Sequence, residues 1–213
     1  MLELSEISVR HREHLVLEDI SLRLEPGSRW VITGPSGSGK STLLKTILLF
    51  ALPFRGQILW DGREVRPPDL AAYRARFLYI GQKPLPFSGT AAEYLNLPFS
   101  FAANADRKHD PDRQAELMQE LGLSSRLLSS SFDNLSGGEQ QRMSLIQGLQ
   151  LDRAFCLFDE ITSSLDPKNT QAVLDLLRKD TRITFLAVAH QREWMEAGFG
   201  ILRVEGGRLR RDP

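Results

Sequence analysis

The stretch Gly34-Pro35-Ser36-Gly37-Ser38-Gly39-Lys40-Ser41 decides the fold. It fits the pattern G-x-x-x-x-G-K-[ST] of a phosphate-binding loop, and the apolar run Trp30 to Thr33 leads directly into it. Its glycines let backbone N–H groups surround phosphate oxygens, and the helix expected over Lys40 to Phe50 would point its N-terminus at them. In such a loop the lysine bridges the β- and γ-phosphates, and the serine hydroxyl binds Mg²⁺. A nucleoside triphosphate with Mg²⁺ is therefore the predicted ligand.

Short apolar runs on both sides of this loop predict the other strands of a sheet. The hairpin signal is Asp61-Gly62, because this dipeptide joins two strand-like runs between Gln57 and Val65. Strands alternate with helical segments, so we expect an α/β fold in which helices cover a mostly parallel sheet. The remaining predicted strands are Leu17 to Leu24, Phe77 to Ile80, Phe155 to Phe158, Ile183 to Val188 and Ile201 to Val204.

From about Pro84 to Asn134 strand-like runs stop and helical pieces lie between prolines and serines. The clearest helix begins at Asp110-Pro111 and ends at Gly122, because proline suits the first helical position and glycine the position after the end. This segment predicts a helical subdomain inserted in the α/β core. Further helices are expected from Gly138 to about Gln150 and after Asp166-Pro167.

Composition narrows the possible partners. The chain has 213 residues, with 27 Lys plus Arg against 27 Asp plus Glu, so a nucleic-acid partner is not expected. The single cysteine, Cys156, is in an apolar run and is expected to be buried. Met1 to Glu6 lacks the apolar core of a signal peptide, and Ile47 to Phe54 is too short to span a bilayer. We therefore expect a soluble chain, with Arg208 to Pro213 solvated.

Polar side chains follow several predicted strands. Asp159 comes directly after the run that ends at Phe158 and suits a Mg²⁺ shell, whereas Glu160 could polarise an attacking water. The Gln82 amide oxygen could contact Mg²⁺ or that water, and His190 could donate a hydrogen bond to the γ-phosphate. Taken alone, an acidic residue or a glutamine at a strand end is more often solvated surface, and a lone histidine there is more often structural. Beside a phosphate-binding loop, the acidic pair is predicted to be functional.

A second glycine-rich cradle is formed by Leu135-Ser136-Gly137-Gly138-Glu139 at the start of a polar helix. By itself it is equally compatible with an ordinary glycine-rich helix start. One nucleotide does not need two cradles in one small domain, so we expect this one to serve a nucleotide held by another copy of the chain. Asp166, before Pro167, suits a helix cap and could also reach across such an interface.

In this order, the motifs resemble those of the nucleotide-binding subunit of ATP-binding-cassette (ABC) transporters. The resemblance runs from about Leu2 to Gly207. The matching segments are Gly34 to Ser41 with Thr42 (Walker A), Gln82 (Q-loop), Leu135 to Glu139 (signature), Ala154 to Asp159 (Walker B), Glu160 (catalytic glutamate), Ser164-Leu165-Asp166 (D-loop) and His190 (switch histidine).

This resemblance implies a P-loop NTPase fold of the ABC-ATPase type, with an N-terminal antiparallel β part beside the parallel core. Residues 1–213 would form a single domain, with a core over 1–83 and 136–213 and a helical subdomain over 84–135 that carries the signature at its end.

The resemblance also implies a head-to-tail homodimer that binds two ATP molecules with Mg²⁺. Each ATP would lie between Walker A of one subunit and Ser136-Gly137-Gly138 and the Asp166 loop of the other. Ser41, Gln82 and Asp159 would hold Mg²⁺. Lys40, Gln82, Glu160 and His190 would carry out hydrolysis, with Glu160 as the base.

Three positions depart from the family pattern. The aromatic residue that stacks on adenine aligns with His11, Glu139 replaces the more usual glutamine, and Ile161 replaces a small residue or proline. A narrower resemblance is to the Fet-type ATP-binding subunits of iron exporters. It is carried by Asp159 to Asp166, Leu135 to Gln150 and Asn96-Leu97-Pro98-Phe99.

The family resemblance implies an ATPase that drives a separate multi-spanning permease from the cytoplasmic face of the cell membrane. Residues 82–101 would be the docking region for that permease. Its candidate apolar contacts are Leu85, Phe87, Leu95 and Phe99, although for any one of them a place in the small core of the helical subdomain is the favoured alternative. The alternative class is a non-transport ABC ATPase that acts in signalling, mechanotransmission, repair or translation.

Overall fold

The computed structural model describes residues 1–212, which form two β-sheets with helices packed against them. The strands are β1 (Leu2–His11), β2 (His14–Leu24), β3 (Arg29–Thr33), β4 (Arg55–Trp60), β5 (Arg63–Glu64), β6 (Phe77–Ile80), β7 (Phe155–Asp159), β8 (Thr184–Val188), β9 (Gly200–Glu205) and β10 (Arg208–Arg211). The α-helices are α1 (Lys40–Ile47), α2 (Leu70–Arg74), α3 (Ala91–Asn96), α4 (Pro111–Glu120), α5 (Gly137–Leu149), α6 (Pro167–Lys179) and α7 (Arg192–Met195).

The larger sheet has the order β10-β9-β3-β8-β7-β6, and all its neighbouring pairs are parallel except β10 with β9. The smaller sheet has the order β2-β1-β4-β5 and is antiparallel. The predicted α/β class is therefore confirmed, with an antiparallel β part beside the parallel core. Strand β1 was not among the predicted strands.

Both faces of the parallel sheet are buried, as expected for strands covered on each side. In β7, Phe158 faces one hydrophobic core, which includes helices α3 to α6. Leu157 faces a second core, which lies between the two sheets and also takes in α1. Alternate residues of one strand thus join the two halves of the domain, and the ends of the central strands carry the polar loops described below.

The segment between β6 and α5 is helical, as predicted. Within residues 84–135 the only pairing of strand type is an isolated bridge between Thr90 and Ser131. Helix α3 begins with a capping box, in which Thr90 and Glu93 exchange side-chain and backbone hydrogen bonds. Helix α4 begins at Pro111 with Asp110 as its N-cap, which confirms the predicted helix start.

The two predictions about turns and termini had different outcomes. The Asp61-Gly62 hairpin is confirmed, with positive φ angles of 49° and 76° at its two central residues. At the chain end, Arg208, Arg210 and Arg211 are exposed, as predicted, but the strand that Arg208–Arg211 form was not predicted. These residues form β10, which follows a tight Gly206-Gly207 turn and pairs with β9. Pro213 lies outside the described residues. None of the helices within residues 1–212 has both the length and the apolar character needed to cross a membrane.

Candidate nucleotide-binding site

The phosphate-binding loop joins β3 to α1 and closes around the side chain of its own lysine. Lys40 Nζ donates hydrogen bonds to the carbonyl oxygens of Gly34 (3.0 Å) and Pro35 (2.7 Å). Gly34 has a φ of +145°, and a Cβ there would lie 2.1 Å from the Val204 carbonyl oxygen, so only glycine fits. Burial lowers the pKa of Lys40, while the charges of Glu160 and Asp159 act in the opposite direction.

Ser41 and Asp159, the two residues predicted to hold Mg²⁺ from the loop and from β7, are in direct contact. Ser41 Oγ donates a 2.8 Å hydrogen bond to Asp159 Oδ1, and the Tyr79 hydroxyl donates a 3.3 Å bond to Asp159 Oδ2. Burial, together with the Asp159 charge and hydrogen bond, raises the pKa of Tyr79 to about 12. Tyr79 therefore remains a donor at neutral pH and fixes the orientation of the carboxylate.

Glu160 lies at the centre of the polar groups after β7 and β8. Its Oε2 accepts a 2.6 Å hydrogen bond from Gln82 Nε2, and its Oε1 is 3.5 Å from His190 Nε2. Its backbone has a φ of +52°, a left-handed conformation that costs a non-glycine residue about 1–3 kcal/mol. The Glu160 N–H donates to the Val188 carbonyl oxygen at 3.0 Å. The structure thus brings together Gln82, Glu160 and His190, as predicted from three separate strand ends.

Glu160 and His190 line a cavity of about 220 Å³ together with residues of the phosphate loop. Backbone N–H groups of the glycine loop and the Lys40 ammonium are anion ligands, whereas the Ser41 hydroxyl and the Asp159 carboxylate are oxygen ligands of the kind Mg²⁺ prefers. The Ser38 hydroxyl in the loop is buried and has no hydrogen-bond partner among residues 1–212. The cavity is lined by Val16, Ser36, Gly37, Gly39, Lys40, Ser41, Thr42, Glu160 and His190.

His11, the candidate adenine contact, is not part of this cavity lining. It is exposed at the end of β1, paired with His14 across the β1–β2 hairpin. Val16 on β2 is the hairpin residue in the cavity lining. The contact between His11 and adenine therefore stays a prediction.

The second cradle does not line the phosphate-loop cavity of its own chain. Helix α5 begins after Ser136, and Ser136 and Gly137 are exposed. Ser136 Oγ donates a 2.7 Å hydrogen bond to Glu139 Oε2, which also accepts from the Ser136 N–H at 2.9 Å. These hydrogen bonds lower the pKa of Glu139, so a charged carboxylate completes the capping box at the N-terminus of α5.

Asp166 caps α6, as predicted, and is tied to the start of α5. Its carboxylate accepts hydrogen bonds from the Asn169 N–H (2.8 Å) and from Asn169 Nδ2 (2.7 Å). Arg142 then joins the two helices, because it donates to Asn169 Oδ1 at 2.5 Å and to the Gly138 carbonyl oxygen at 3.2 Å. Asp166 is exposed although it caps α6, so the capping role leaves its side chain accessible from outside the chain.

A buried polar cluster behind Glu160 and His190 was not among the sequence predictions. Trp194 Nε1 donates a 2.8 Å hydrogen bond to Thr162 Oγ1, and Gln191 Nε2 donates a 2.9 Å bond to the Thr162 carbonyl oxygen. Thr162 is only 1% exposed. The cluster joins the loop after β7 to the loop after β8. Its only signal in the sequence is that Thr162 and Gln191 lie within two residues of Glu160 and His190.

The candidate permease contacts divide into exposed and buried residues. Leu95 is fully buried and belongs to the core beneath α3 and α5, which is the alternative that the sequence favoured for any one of these residues. Phe87 packs edge-on against Tyr94, with ring centroids 5.5 Å apart, and Phe99 is also partly buried. Leu85 is 78% exposed and is the member of the set that is available to a partner.

A phosphate loop after β3, an acidic strand end on β7 and a polar cavity between them define a P-loop ATPase fold and site. The chain belongs to the ABC transporter family, whose model matches residues 17–163. It is therefore an ATPase that uses ATP and Mg²⁺.

Similar proteins include importers and an exporter. The chain is 33% identical, over 91% of its length and 86% of the relative's, to the probable iron export ATP-binding protein FetA of Escherichia coli K12. It is 35% identical to the mycobactin import ATP-binding/permease protein IrtB of Mycolicibacterium smegmatis, covering 99% of this chain but 37% of IrtB. It also matches, at 25% identity and a TM-score of 0.85, the dimeric post-hydrolysis state of the ATP-binding cassette MJ0796 bound to ADP and Pi, over 100% of this chain and 98% of that one.

Proposed function

We propose that this chain is the ATP-hydrolysing subunit of a transporter and that it works as a head-to-tail homodimer on a separate membrane permease. The observation that carries the proposal is the separation of the two cradles. Ser136 and Gly137 are exposed and lie outside the cavity that Lys40 and Ser41 line. Two copies related by a two-fold axis would place each exposed cradle over the phosphate loop of the other. The dimeric MJ0796 cassette, similar over its whole length, supports this arrangement.

In the proposed reaction each polar group has one task. Lys40 leaves its contacts with the Gly34 and Pro35 carbonyl oxygens to pair with phosphate oxygens. Glu160 accepts a proton from the attacking water, and His190, 3.5 Å from Glu160, donates a hydrogen bond to the transferred phosphoryl group. Mg²⁺, held by Ser41, Asp159 and the Gln82 amide oxygen, would neutralise charge that develops on the phosphates.

Gln82 has to change partner in this scheme. Its amide nitrogen now donates to Glu160, and rotation of that amide would release the carboxylate to bind water. Because Gln82 begins the proposed docking region of residues 82–101, a permease that moves this region would alter the Glu160 contact. The exposed Leu85 is three residues away along the chain. In our proposal, the protein binds its permease at the cytoplasmic face of the membrane. Each chain is one cassette, with the predicted core over residues 1–83 and 136–213 and the predicted helical subdomain over residues 84–135.

Export of iron or another metal is the cargo assignment that we favour. The support is the similarity to FetA over 86% of its length, whereas the chain spans only 37% of the mycobactin importer IrtB. Cargo binding belongs to the permease, so the ATPase site itself carries no contact with metal cargo. Within residues 1–212 there is no cluster of three or more His, Cys, Asp or Glu side chains suited to a metal ion.

Complementation between two inactive chains tests the dimer. A Lys40→Ala chain lacks the phosphate contact, and a Ser136→Arg chain blocks the second cradle, so neither homodimer should hydrolyse ATP. A mixture should recover activity, because a mixed dimer has one site built from intact halves. If the mixture stays inactive while both chains fold and pair, catalysis across the interface is excluded.

The transport assignment needs a separate experiment. The protein should co-purify with a multi-spanning permease in mild detergent, and an exposed-face variant, Leu85→Asp, should weaken that association. Reconstituted vesicles then measure ATP-dependent movement of ferrous iron. ATPase activity that never associates with a permease would instead support the non-transport class.

A further inference from the structure

Gln141 on α5 is a buried polar side chain that contacts three loops of the site at once. It is only 3% exposed. Its Nε2 donates to the carbonyl oxygens of Gln82 (3.2 Å) and Glu160 (3.3 Å), and its Oε1 accepts from the Ser164 N–H (3.1 Å). Each of these partners is in a different functional segment: the loop after β6, the end of β7 and the turn before α6.

The chemistry of the three partners allows only one orientation of the Gln141 amide. The Gln82 and Glu160 carbonyl oxygens can only accept hydrogen bonds, whereas the Ser164 N–H can only donate one. Both hydrogens of the amide nitrogen are therefore used, and its oxygen has a donor. A buried amide with all these bonds made holds its partners firmly, because breaking any one of them leaves a polar group unpaired away from water.

Gln141 contacts Glu160 at a residue whose backbone has the left-handed conformation that non-glycine residues rarely adopt. Glu160 has a φ of +52°, and its N–H is bound to the Val188 carbonyl oxygen. Its carbonyl oxygen accepts from the Ser163 N–H at 3.0 Å, which closes a tight turn, and from Gln141. Gln141 thus attaches this turn to α5, and the direction of the Glu160 side chain depends on the turn.

We propose that Gln141 is a positioning residue for ATP hydrolysis. It holds the Glu160 turn and the loops of Gln82 and Ser164 in one arrangement relative to the start of α5, which carries Ser136-Gly137-Gly138. Gln141 is only five residues from Ser136, on the same helix. Contact at the start of α5 would therefore be transmitted to Glu160 of the same chain through one rigid turn of helix and one side chain.

The test replaces Gln141 with methionine, which has a similar length and shape but cannot make the three hydrogen bonds. The matched control is Gln147→Met on the same helix, where the glutamine Nε2 donates to the Tyr94 carbonyl oxygen, away from the site. We expect Gln141→Met to lower kcat by about 10- to 100-fold, because small displacements of a catalytic group have effects of that size. KM for ATP and MgATP binding should stay near the values of Gln147→Met.

Equal kcat in the two variants would overturn the proposal, and so would a loss of MgATP binding that accounts for the whole loss of activity. If Gln141→Met does not fold, Gln141→Glu replaces it. The carboxylate keeps the acceptor for Ser164 but faces two carbonyl oxygens without a donor, so kcat should again fall. Wild-type kcat in Gln141→Glu would equally overturn the proposal.

This inference rests on the role proposed for Glu160. A double variant distinguishes failure of the Gln141 inference from failure of the proposed Glu160 role. Adding Gln141→Met to Glu160→Gln should cause no further loss in single-turnover hydrolysis, because the group that Gln141 positions is already inactive. Independent, multiplicative losses would refute positioning through Glu160. If Glu160→Gln alone retains hydrolysis, the proposed function of Glu160 fails, whatever Gln141 does.

Discussion

Gln82 and Glu160 are joined by a 2.6 Å hydrogen bond between Nε2 and Oε2, although 78 residues separate them in the chain. The proposed base is therefore held by the residue that also begins the proposed docking region. In the proposed mechanism, the strength of this hydrogen bond would govern how readily Glu160 becomes available to water.

Replacing Gln82 with alanine should lower kcat by about 10- to 100-fold with little change in ATP binding. The reason is that the amide that orients Mg²⁺ and water is lost, while the Lys40 and Ser41 contacts remain. Steady-state ATPase assays and ATP titrations measure the two quantities. Lys83→Ala, at the exposed neighbouring position, is the control and should keep both values.

Glu160→Gln should reduce hydrolysis by about 10²–10⁴-fold, because the carboxylate that accepts the proton becomes an amide of the same shape. ATP-bound dimers should then accumulate and be visible by light scattering during size-exclusion chromatography. Glu205→Gln, at an exposed site on β9, should hydrolyse ATP normally. A Glu160→Gln chain that stays monomeric at saturating MgATP, with binding intact, would contradict the dimer.

Glu139→Gln should favour the ATP-bound dimer. The Glu139 carboxylate lies beside Ser136, on the surface that would meet the partner's nucleotide, and its lowered pKa keeps it charged. An amide keeps the capping contacts and removes repulsion between like charges, so half-maximal dimerisation should need roughly tenfold less ATP, or about 1.4 kcal/mol. Added salt should narrow the difference from wild type. An unchanged midpoint at low salt would show that the Glu139 charge does not face the nucleotide.

His11→Ala should weaken ATP binding more than it weakens binding of inorganic triphosphate. Loss of ring stacking on a base costs about 0.5–1.5 kcal/mol, and triphosphate has no base to lose. Calorimetric titration of both ligands gives the comparison. His14→Ala changes the cross-strand neighbour and should affect the two ligands equally. Equal effects of His11→Ala on both ligands would remove His11 from the adenine site.

Cys156 should be unreactive in the folded protein. The thiol is 1% exposed, and burial raises its pKa to about 12 from an ordinary value of 9.0. Since the unfolded chain ionises first, this group stabilises the fold fully below pH 9, and the stabilisation is lost as the pH rises from about 9 to 12. Thiol labelling at neutral pH should therefore follow unfolding and increase sharply in denaturant. Rapid labelling without denaturant would contradict the burial.

The parts of the site that sequence could predict are those fixed by chemistry at a strand end or a tight turn. Lys40, Asp159 and Glu160 belong to such places, because few residue types can bind phosphate, Mg²⁺ or water there. The Asp61-Gly62 hairpin was predictable for a similar reason, since its turn requires positive φ angles. Strand β10 was missed because a run of arginines leaves only Leu209 as an apolar residue, and its pairing with β9 is supplied by tertiary context.

The long-range polar contacts could not be predicted. Gln141 is adjacent to another glutamine, Gln140, which contacts the Phe132 carbonyl oxygen instead. Nothing in the local sequence distinguishes which of the two reaches Glu160, because the choice depends on how α5 lies against the sheet. The sequence could not show which of Leu85, Phe87, Leu95 and Phe99 lie in the core, for the same reason. An apolar residue in a short helix faces inward or outward according to the packing of its neighbours.

The buried cluster of Thr162, Gln191 and Trp194 fastens the loop after β7 to the loop after β8. Glu160 and His190, which these two loops carry, should therefore move together in any rearrangement of the site. Gln141 attaches this pair to α5, whereas the side chain of Gln82 contacts it through a single exposed hydrogen bond. Substitutions that change the rate of turnover without separating Glu160 from His190 should therefore be found mainly around Gln82.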